Sequence, residues 1–445
     1  RGGDARMTSP TTDTADVIII GTGVIGTATS FELAKQGYKT VCVDRNSQIG
    51  HGSTAGSCAI IRMHYSTRDG TAFAFEGYHY WRDWADYLGL SSGHALARFV
   101  ECGCLVMKTE ANGYLEKHIG HSQTLSIPIE DWDAEQIQAR LPVYNLASYA
   151  PPRPRVHDAF GQPNGSRLKG GIFWPKAGYV TDPALSAQNL AAAAARHGAR
   201  HRLRAEVIEI LRQSGAVKGV RLADGAEIQA PIVINIAGPG SAHINRLAGV
   251  TDDMTIETRP LRQEVVHLPS PAGFDFEANG MIVSDSDIAL YCRPEHGNHI
   301  LIGSEDPPCD DHRWVDSDTD YDDNFSEQWT TQALRYAQRV PELGITSQLR
   351  GVVDLYDAST DWIPIYDKSA LDGFYMACGT SGNQYKNAPI AGKLMAALVT
   401  YCENGTDHDT TPMIFTLPYT GLKIDAGFYS RKRPVNKDSS FSVLG

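Results

Sequence analysis

The sequence predicts an α/β chain in which a parallel sheet with helices is interleaved with an antiparallel-sheet α+β domain. Three observations carry this expectation. The β-branched run Ala15-Asp-Val-Ile-Ile-Ile20 leads at once into Gly21-Thr-Gly23-Val-Ile-Gly26 and an Ala- and Leu-containing segment ending at Gly37, which reads as strand, tight turn and helix. A second strand, Thr40-Val-Cys-Val-Asp44, completes a unit of about thirty residues, the size of a βαβ module. Similar signals return in the middle and near the end of the chain, with sheet-rich stretches inserted twice between them.

Further along, a helix from about Thr71 to Leu88 carries Phe73, Tyr78, Trp81 and Trp84, read as core-facing because large aromatics dominate packing. Cys102 and Cys104 are expected on one face of a strand, as packing residues. A helix from Asp182 to Gly198 has Asp182 as N-cap, Pro183 in its first turn and Gly198 as its stop. Strands follow at 206–211, 217–222 and 231–236, with Ser214-Gly215 and Asp224-Gly225 as hairpin turns. Residues 256–305 read as strands, 323–340 as a helix, and Gly373–Ala377 as a buried strand before a helix over Ala388–Tyr401. This order predicts one domain from 11–90, 171–250 and 346–430, and another from 91–170 and 251–345.

Composition excludes several functions. With 40 Lys and Arg against 52 Asp and Glu in 445 residues, the net charge is −12, and there is no basic stripe for nucleic acid. No run of 18 apolar residues exists to span a membrane. Eight scattered cysteines form neither a disulfide framework nor a zinc-ribbon pattern, so no metal is expected and a cytoplasmic setting fits best. Arg1–Arg6, ahead of Met7, lack an apolar segment and are read as an expression remnant.

The chemistry begins at the glycine turn. Gly21 allows the turn, Gly23 admits a pyrophosphate to the backbone, Val24 and Ile25 open the helix, and Gly26 lets helix and strand pack closely. Asp44, 18 residues after Gly26 at a strand end, suits a ribose hydroxyl. Gly52, Ser53, Thr54 and Ser57 form a small-residue loop that permits close approach to a flat ring, while Gly238 and Gly240 end a strand where bulk would collide with adenine or ribose. Gly379 and Gly382 precede a helix whose N-terminal dipole suits negative charge.

These motifs resemble, in order and over residues 15–400, the FAD-dependent family of D-amino-acid oxidase, glycine oxidase and sarcosine oxidase or dehydrogenase. The resemblance rests on Asp16–Gly26, Val43-Asp44-Arg45, the Gly52–Ser57 loop, Ile60-Ile61-Arg62, Gly178–Pro183, Val233–Gly240, Asp361–Ile365 and Gly379–Pro389. It implies a Rossmann-like FAD-binding domain and a substrate domain, with Arg45 joining the cofactor-binding residues. It also implies that Arg62 and Lys386 bind a substrate carboxylate over the flavin and that Tyr356 lines the substrate site; Lys386 also adds to the field at the flavin. A bidentate Arg with a Lys point charge makes a carboxylate clamp.

The chain departs from the family in four places. Asp354 stands where one branch attaches flavin through Cys, and the Trp-His-Ala-Ala-Gly-like stretch of His-linked dehydrogenases is absent, so non-covalent FAD is expected. Leu301 stands nearest the lysine that activates dioxygen in monomeric sarcosine oxidases, and Ala59 replaces a second arginine. These last two changes point away from sarcosine itself. The expected activity is oxidation of the C–N bond of an amino acid or N-substituted amino acid, by hydride transfer to flavin N5 and hydrolysis of the imine, with dioxygen or another acceptor reoxidising the flavin. The alternatives are oxidation of a 2-hydroxy acid or other alcohol, and a non-catalytic flavin-binding subunit. In place of the missing lysine and arginine, His64 and Glu305 could supply polar contacts, although single polar residues in loops usually face solvent.

Overall fold

The β-branched run at the start of the chain forms the strand Val17–Ile20, fully paired on both edges and buried. In the computed structural model, which describes residues 12–90 and 93–445, it lies near the centre of a six-stranded sheet. The order is Arg200–Arg202, Thr40–Val43, Val17–Ile20, Ile232–Asn235, Phe374–Cys378 and Ile365–Lys368. All neighbours are parallel except the last pair. A parallel sheet covered on both faces needs apolar residues throughout, and the three central strands supply them. The expected remnant, residues 1–6, lies outside the described residues.

The helix Val24–Lys35 packs between the helices Pro183–Ala195 and Ala388–Glu403. It is buried on nearly every side, so its hydroxyl residues bond inward, Thr29 to the Ile25 carbonyl and Ser30 to Thr40. Asp182 caps the second helix through the Leu185 N–H, as expected.

A nine-stranded mixed sheet forms the second body of structure. Its long antiparallel pair is Thr258–Pro269 with Gly351–Ser359, the short strand Arg313–Trp314 also pairs with the first of these, and the sheet continues through His299–Ser304, Leu290–Glu295, Ile282–Asp285, Cys104–Met107, Gly170–Trp174 and Glu130–Asp133. Two of these strands, Gly170–Trp174 and Gly351–Ser359, begin at the boundaries expected near 171 and 346 and pair here rather than in the six-stranded sheet.

Several local expectations are corrected. The aromatic helix breaks at Asp83 into Arg68–Arg82 and Trp84–Leu88. Cys102 and Cys104 do not share a strand face: Gly103 adopts φ +80°, so the strand starts only at Cys104. The Asp224-Gly225 turn joins Ala216–Leu222 to the short strand Glu227–Gln229, and Ile232–Asn235 departs into the parallel sheet. The helix expected over 323–340 is Glu327–Arg339. No helix among the described residues is long and apolar enough to cross a membrane.

Candidate active site

Two backbone approaches shape the start of the site. Gly21 has φ +116°, and a Cβ there would lie 2.1 Å from the Ile236 carbonyl oxygen; one on Gly26 would lie 2.1 Å from the Gly21 oxygen. Only glycine closes this strand–turn–helix. Gly23 is the N-cap of the helix and supplies no capping side chain; Thr54 Oγ1 accepts the Val24 N–H at 3.0 Å. The next residues, Ile25 and Gly26, border a cavity of about 490 Å³.

This one cavity runs from the glycine turn and Asp44 to Lys386. It brings together Gly21, Gly23, Val24, Ile25, Gly26, Asp44, Arg45, Gly52, Ser53, Thr54, Ser57, Arg62, Gly238, Tyr356, Gly382 and Lys386. Gly379 is the exception: its N–H donates to Asp357 Oδ2 at 2.6 Å, and the residue shapes the turn without bordering the cavity. The helix behind it starts only at Ala388, after a 3₁₀ turn over Tyr385–Asn387.

At the glycine-turn end, Asp44 Oδ2 accepts from the Thr22 N–H and hydroxyl at 2.8 and 2.7 Å, and Oδ1 accepts from the Asn46 N–H. These bonds hold the carboxylate at the cavity edge. Arg45 extends to Asp318 at 2.6 Å, bringing a loop of the larger sheet over the groove. Ser53 Oγ donates to the Leu355 carbonyl at 3.0 Å, and Ser57 Oγ accepts from Ala59 N.

At the other end, Arg62 follows the strand Ile60–Ile61, whose partner is Gly178–Val180. Its guanidinium donates to the carbonyls of His64, Val443 and Leu444. Lys386 sits on the 3₁₀ turn, fixed by the Trp81 indole N–H donating to its carbonyl at 2.7 Å. Its Nζ donates to the Asn383 carbonyl at 2.7 Å and to Tyr65 Oη at 3.0 Å. Burial, then the Arg62 charge, hold the Lys386 ammonium well below the ordinary lysine range. Tyr356 packs its ring over Gly382.

Two residues expected at solvent are interior. His64 is 1% exposed and lines the cavity beside Arg62; burial and that cation keep it neutral, well below the usual imidazole range. Glu305 is 6% exposed, and burial pushes its carboxyl up to about 8. Both lie just beyond strand ends, after Ile60–Ile61 and His299–Ser304, where local polarity does not reveal which way the chain turns. Other wall residues missed in the sequence are Ser284, Tyr291, Asp318 and the Val443-Leu444 pair, none of which stands in a motif.

The sequence profile described as "DAO: FAD dependent oxidoreductase" matches residues 16–398. The chain belongs to this family. The FAD-dependent oxidoreductase chain is 26% identical over 400 residues to sarcosine oxidase subunit beta of Rhodobacter capsulatus, covering 86% of this chain and 84% of that one. It is 24% identical to glycine oxidase of Geobacillus kaustophilus, with 88% and 94% covered. Among solved structures, L-proline dehydrogenase from P. horikoshii superposes with a TM-score of 0.74 at 20% identity, over 95% of this chain and 98% of that one. The cavity fits the family's cofactor: a helix start whose N-cap is a glycine and an anchored acid lie at one end, and polar and cationic side chains at the other.

Proposed function

We propose that this FAD-dependent oxidoreductase oxidises the C–N bond of an amino acid or N-substituted amino acid, with FAD bound non-covalently. The observation that carries the reading is the pairing of Arg62 and Lys386 on one cavity. They are only 7% and 3% exposed, and among the described residues neither has a carboxylate partner; both donate to neutral oxygens. Buried basic groups with neutral partners favour an anion, and a substrate carboxylate beside Lys386 would raise its affinity for a proton again. The names of the relatives agree, since sarcosine, glycine and L-proline are all amino acids bearing a carboxylate.

Gly21, Gly23 and the start of the Val24–Lys35 helix would hold the pyrophosphate, Asp44 a ribose hydroxyl, and the Gly52–Ser57 loop the flavin side. Bound FAD supplies the hydride acceptor. Arg62 and Lys386 hold the carboxylate and thereby aim the C–H bond next to nitrogen, Tyr356 walls the site, and the product imine hydrolyses. The six-stranded sheet and its helices form the nucleotide half; the larger sheet, with 170–174 and 351–359, covers the substrate half. Non-covalent attachment is supported by Asp354, whose carboxylate is held by Leu355 N at 2.7 Å, and by burial, which keeps the wall residues Cys58 and Cys104 as thiols.

His64, neutral and beside Arg62, also suits the abstraction of a hydroxyl proton from a 2-hydroxy acid. Anaerobic addition of amino acids, N-methyl amino acids and 2-hydroxy acids to the holoprotein separates the two readings. Bleaching of the flavin by an amine is expected; bleaching by hydroxy acids alone would reverse the assignment, and no bleaching by any amine would reject it. Peroxide measured beside dye reduction identifies the acceptor.

A further inference from the structure

The strand Thr258–Pro269 holds both roots of one loop. Before the loop, Arg313–Trp314 pairs with Leu261 and Arg262, and the Val315 N–H donates to the Pro260 carbonyl at 3.1 Å. After it, the buried Arg262 donates to the carbonyls of Asp322 and Asn324, and Glu264 accepts the Ser326 N–H at 3.1 Å, where the helix Glu327–Arg339 begins. In between, the chain folds around Ser317, whose Oγ accepts the N–H groups of Thr319 and Asp320, both at 3.1 Å. The tip then leaves its own sheet. Asp318 Oδ2 meets Arg45 Nη2 at 2.6 Å, and a Cβ on Gly240 would meet the same oxygen first, at 2.7 Å. Arg45 follows the strand Thr40–Val43 and Gly240 follows Ile232–Asn235, the two neighbours of Val17–Ile20. Asp318 therefore touches the chain on both flanks of the glycine turn, and Arg45, Gly240, Asp318 and Tyr321 all border the cavity.

We infer that this loop is a latch on the cofactor: residues 315–323 close over the nucleotide, and the Arg45–Asp318 pair holds them closed. The inference rests on the cofactor placement proposed above and is independent of the substrate clamp. In a parallel sheet a nucleotide lies in the crevice beyond the strand ends, which is where Asp318 crosses from one flank to the other. Arg45 is already engaged by a carboxylate, so its hold on the cofactor runs through Asp318 rather than through a phosphate. The pairing also cancels a negative charge that would otherwise repel a cofactor carrying two phosphates. Gly240 leaves room for the Asp318 carboxylate, where the sequence suggested adenine or ribose. The tip's other ion pair, Arg259–Asp316, stays within its own sheet, so breaking Arg45–Asp318 frees the tip while the roots remain fixed. With side chains 39% and 13% exposed, the pair is weak enough to open for loading.

The test measures how fast FAD leaves the holoprotein, as flavin fluorescence appearing in the dialysate. Asp318→Asn and Arg45→Gln should each speed release by about threefold to fivefold, and the double variant by no more than either alone. Raising salt to about 1 M should speed release from the wild type by screening the pair, and should do so less in Asp318→Asn. Additive effects of the two substitutions would overturn the latch, because the residues would then act on the cofactor separately. Release from Asp318→Asn at the wild-type rate or slower would also overturn it, making Asp318 an obstacle rather than a hold. Unchanged release from Asp44→Ala would instead move the cofactor away from this end of the cavity, and the latch with it. A variant that purifies without flavin is reconstituted with FAD, and its dissociation constant should rise by the same factor; an unchanged constant overturns the latch.

Discussion

Arg62 and Leu444 are joined by a 2.5 Å hydrogen bond from guanidinium to carbonyl, with the Val443 carbonyl a second acceptor at 3.0 Å. The following residue, Gly445, is held by the Ser66 N–H and hydroxyl at 3.0 and 2.8 Å. The segment 443–445 therefore occupies donors that the proposed clamp offers to a carboxylate. A carboxylate that takes these donors must loosen the segment. Hydrogen exchange at the amides of 442–445 is expected to quicken when a carboxylate ligand saturates the holoprotein; unchanged exchange would place the ligand elsewhere.

Arg62→Ala should weaken a carboxylate substrate by about 2–5 kcal/mol, because it removes a desolvated charge pair. FAD should remain bound, since Arg62 lies at the opposite end of the cavity from the glycine turn. Steady-state kinetics would register this as a raised KM, and an unchanged KM would remove Arg62 from the clamp.

Glu305 should make stability depend on pH. Its folded carboxyl is raised to about 8 from an ordinary value of 4.5, so between these values the folded chain holds a proton that the unfolded chain has lost. Stability therefore falls as pH rises through this window, by up to about 1.4 kcal/mol per pH unit from this one group. Asp357, raised to about 7, contributes in the same direction over the lower part of the range. Denaturant unfolding at several pH values should show a shallower slope in Glu305→Gln; parallel slopes would mean that Glu305 titrates normally.

Asp44→Ala should lower FAD affinity by about 1–3 kcal/mol, the scale of a hydrogen bond to a charged group. It also releases Thr22, which Asp44 holds through two bonds. Flavin fluorescence in the dialysate measures the loss. Full retention would rule out the ribose contact.

Acid precipitation of the wild-type holoprotein should release all the flavin into the supernatant. Yellow pellet would demand a covalent link and a different reading of Asp354.

The strand–turn–helix at the start of the chain was legible in the sequence because its determinants are local. Gly21, Gly23 and Gly26 act within one turn, and Asp44 follows the next strand; the same stretch predicts strand, turn and helix. Arg62 and Lys386 were legible only through the resemblance, since 324 positions (386 − 62) separate residues that meet on one cavity. His64, Glu305 and the Val443-Leu444 carbonyls were not legible. Whether a polar side chain points inward depends on the register of strands such as Ile282–Asp285 against Cys104–Met107, and backbone acceptors leave no mark in side-chain patterns. The turn after Leu222 misled for a related reason. Asp224-Gly225 does specify a hairpin, but the length of the returning strand is set by the parallel sheet that claims Ile232–Asn235.

The burial of the Val24–Lys35 helix between Pro183–Ala195 and Ala388–Glu403 has a consequence for how the chain acquires its fold. The helix is encoded near the beginning, yet its apolar surroundings are encoded hundreds of residues later. During synthesis at about 5–20 residues per second, it must wait tens of seconds with its apolar faces uncovered before the last flanking helix emerges. Substitutions in Ala388–Glu403 should therefore reduce the yield of native protein from the ribosome more than they reduce the stability of protein already folded.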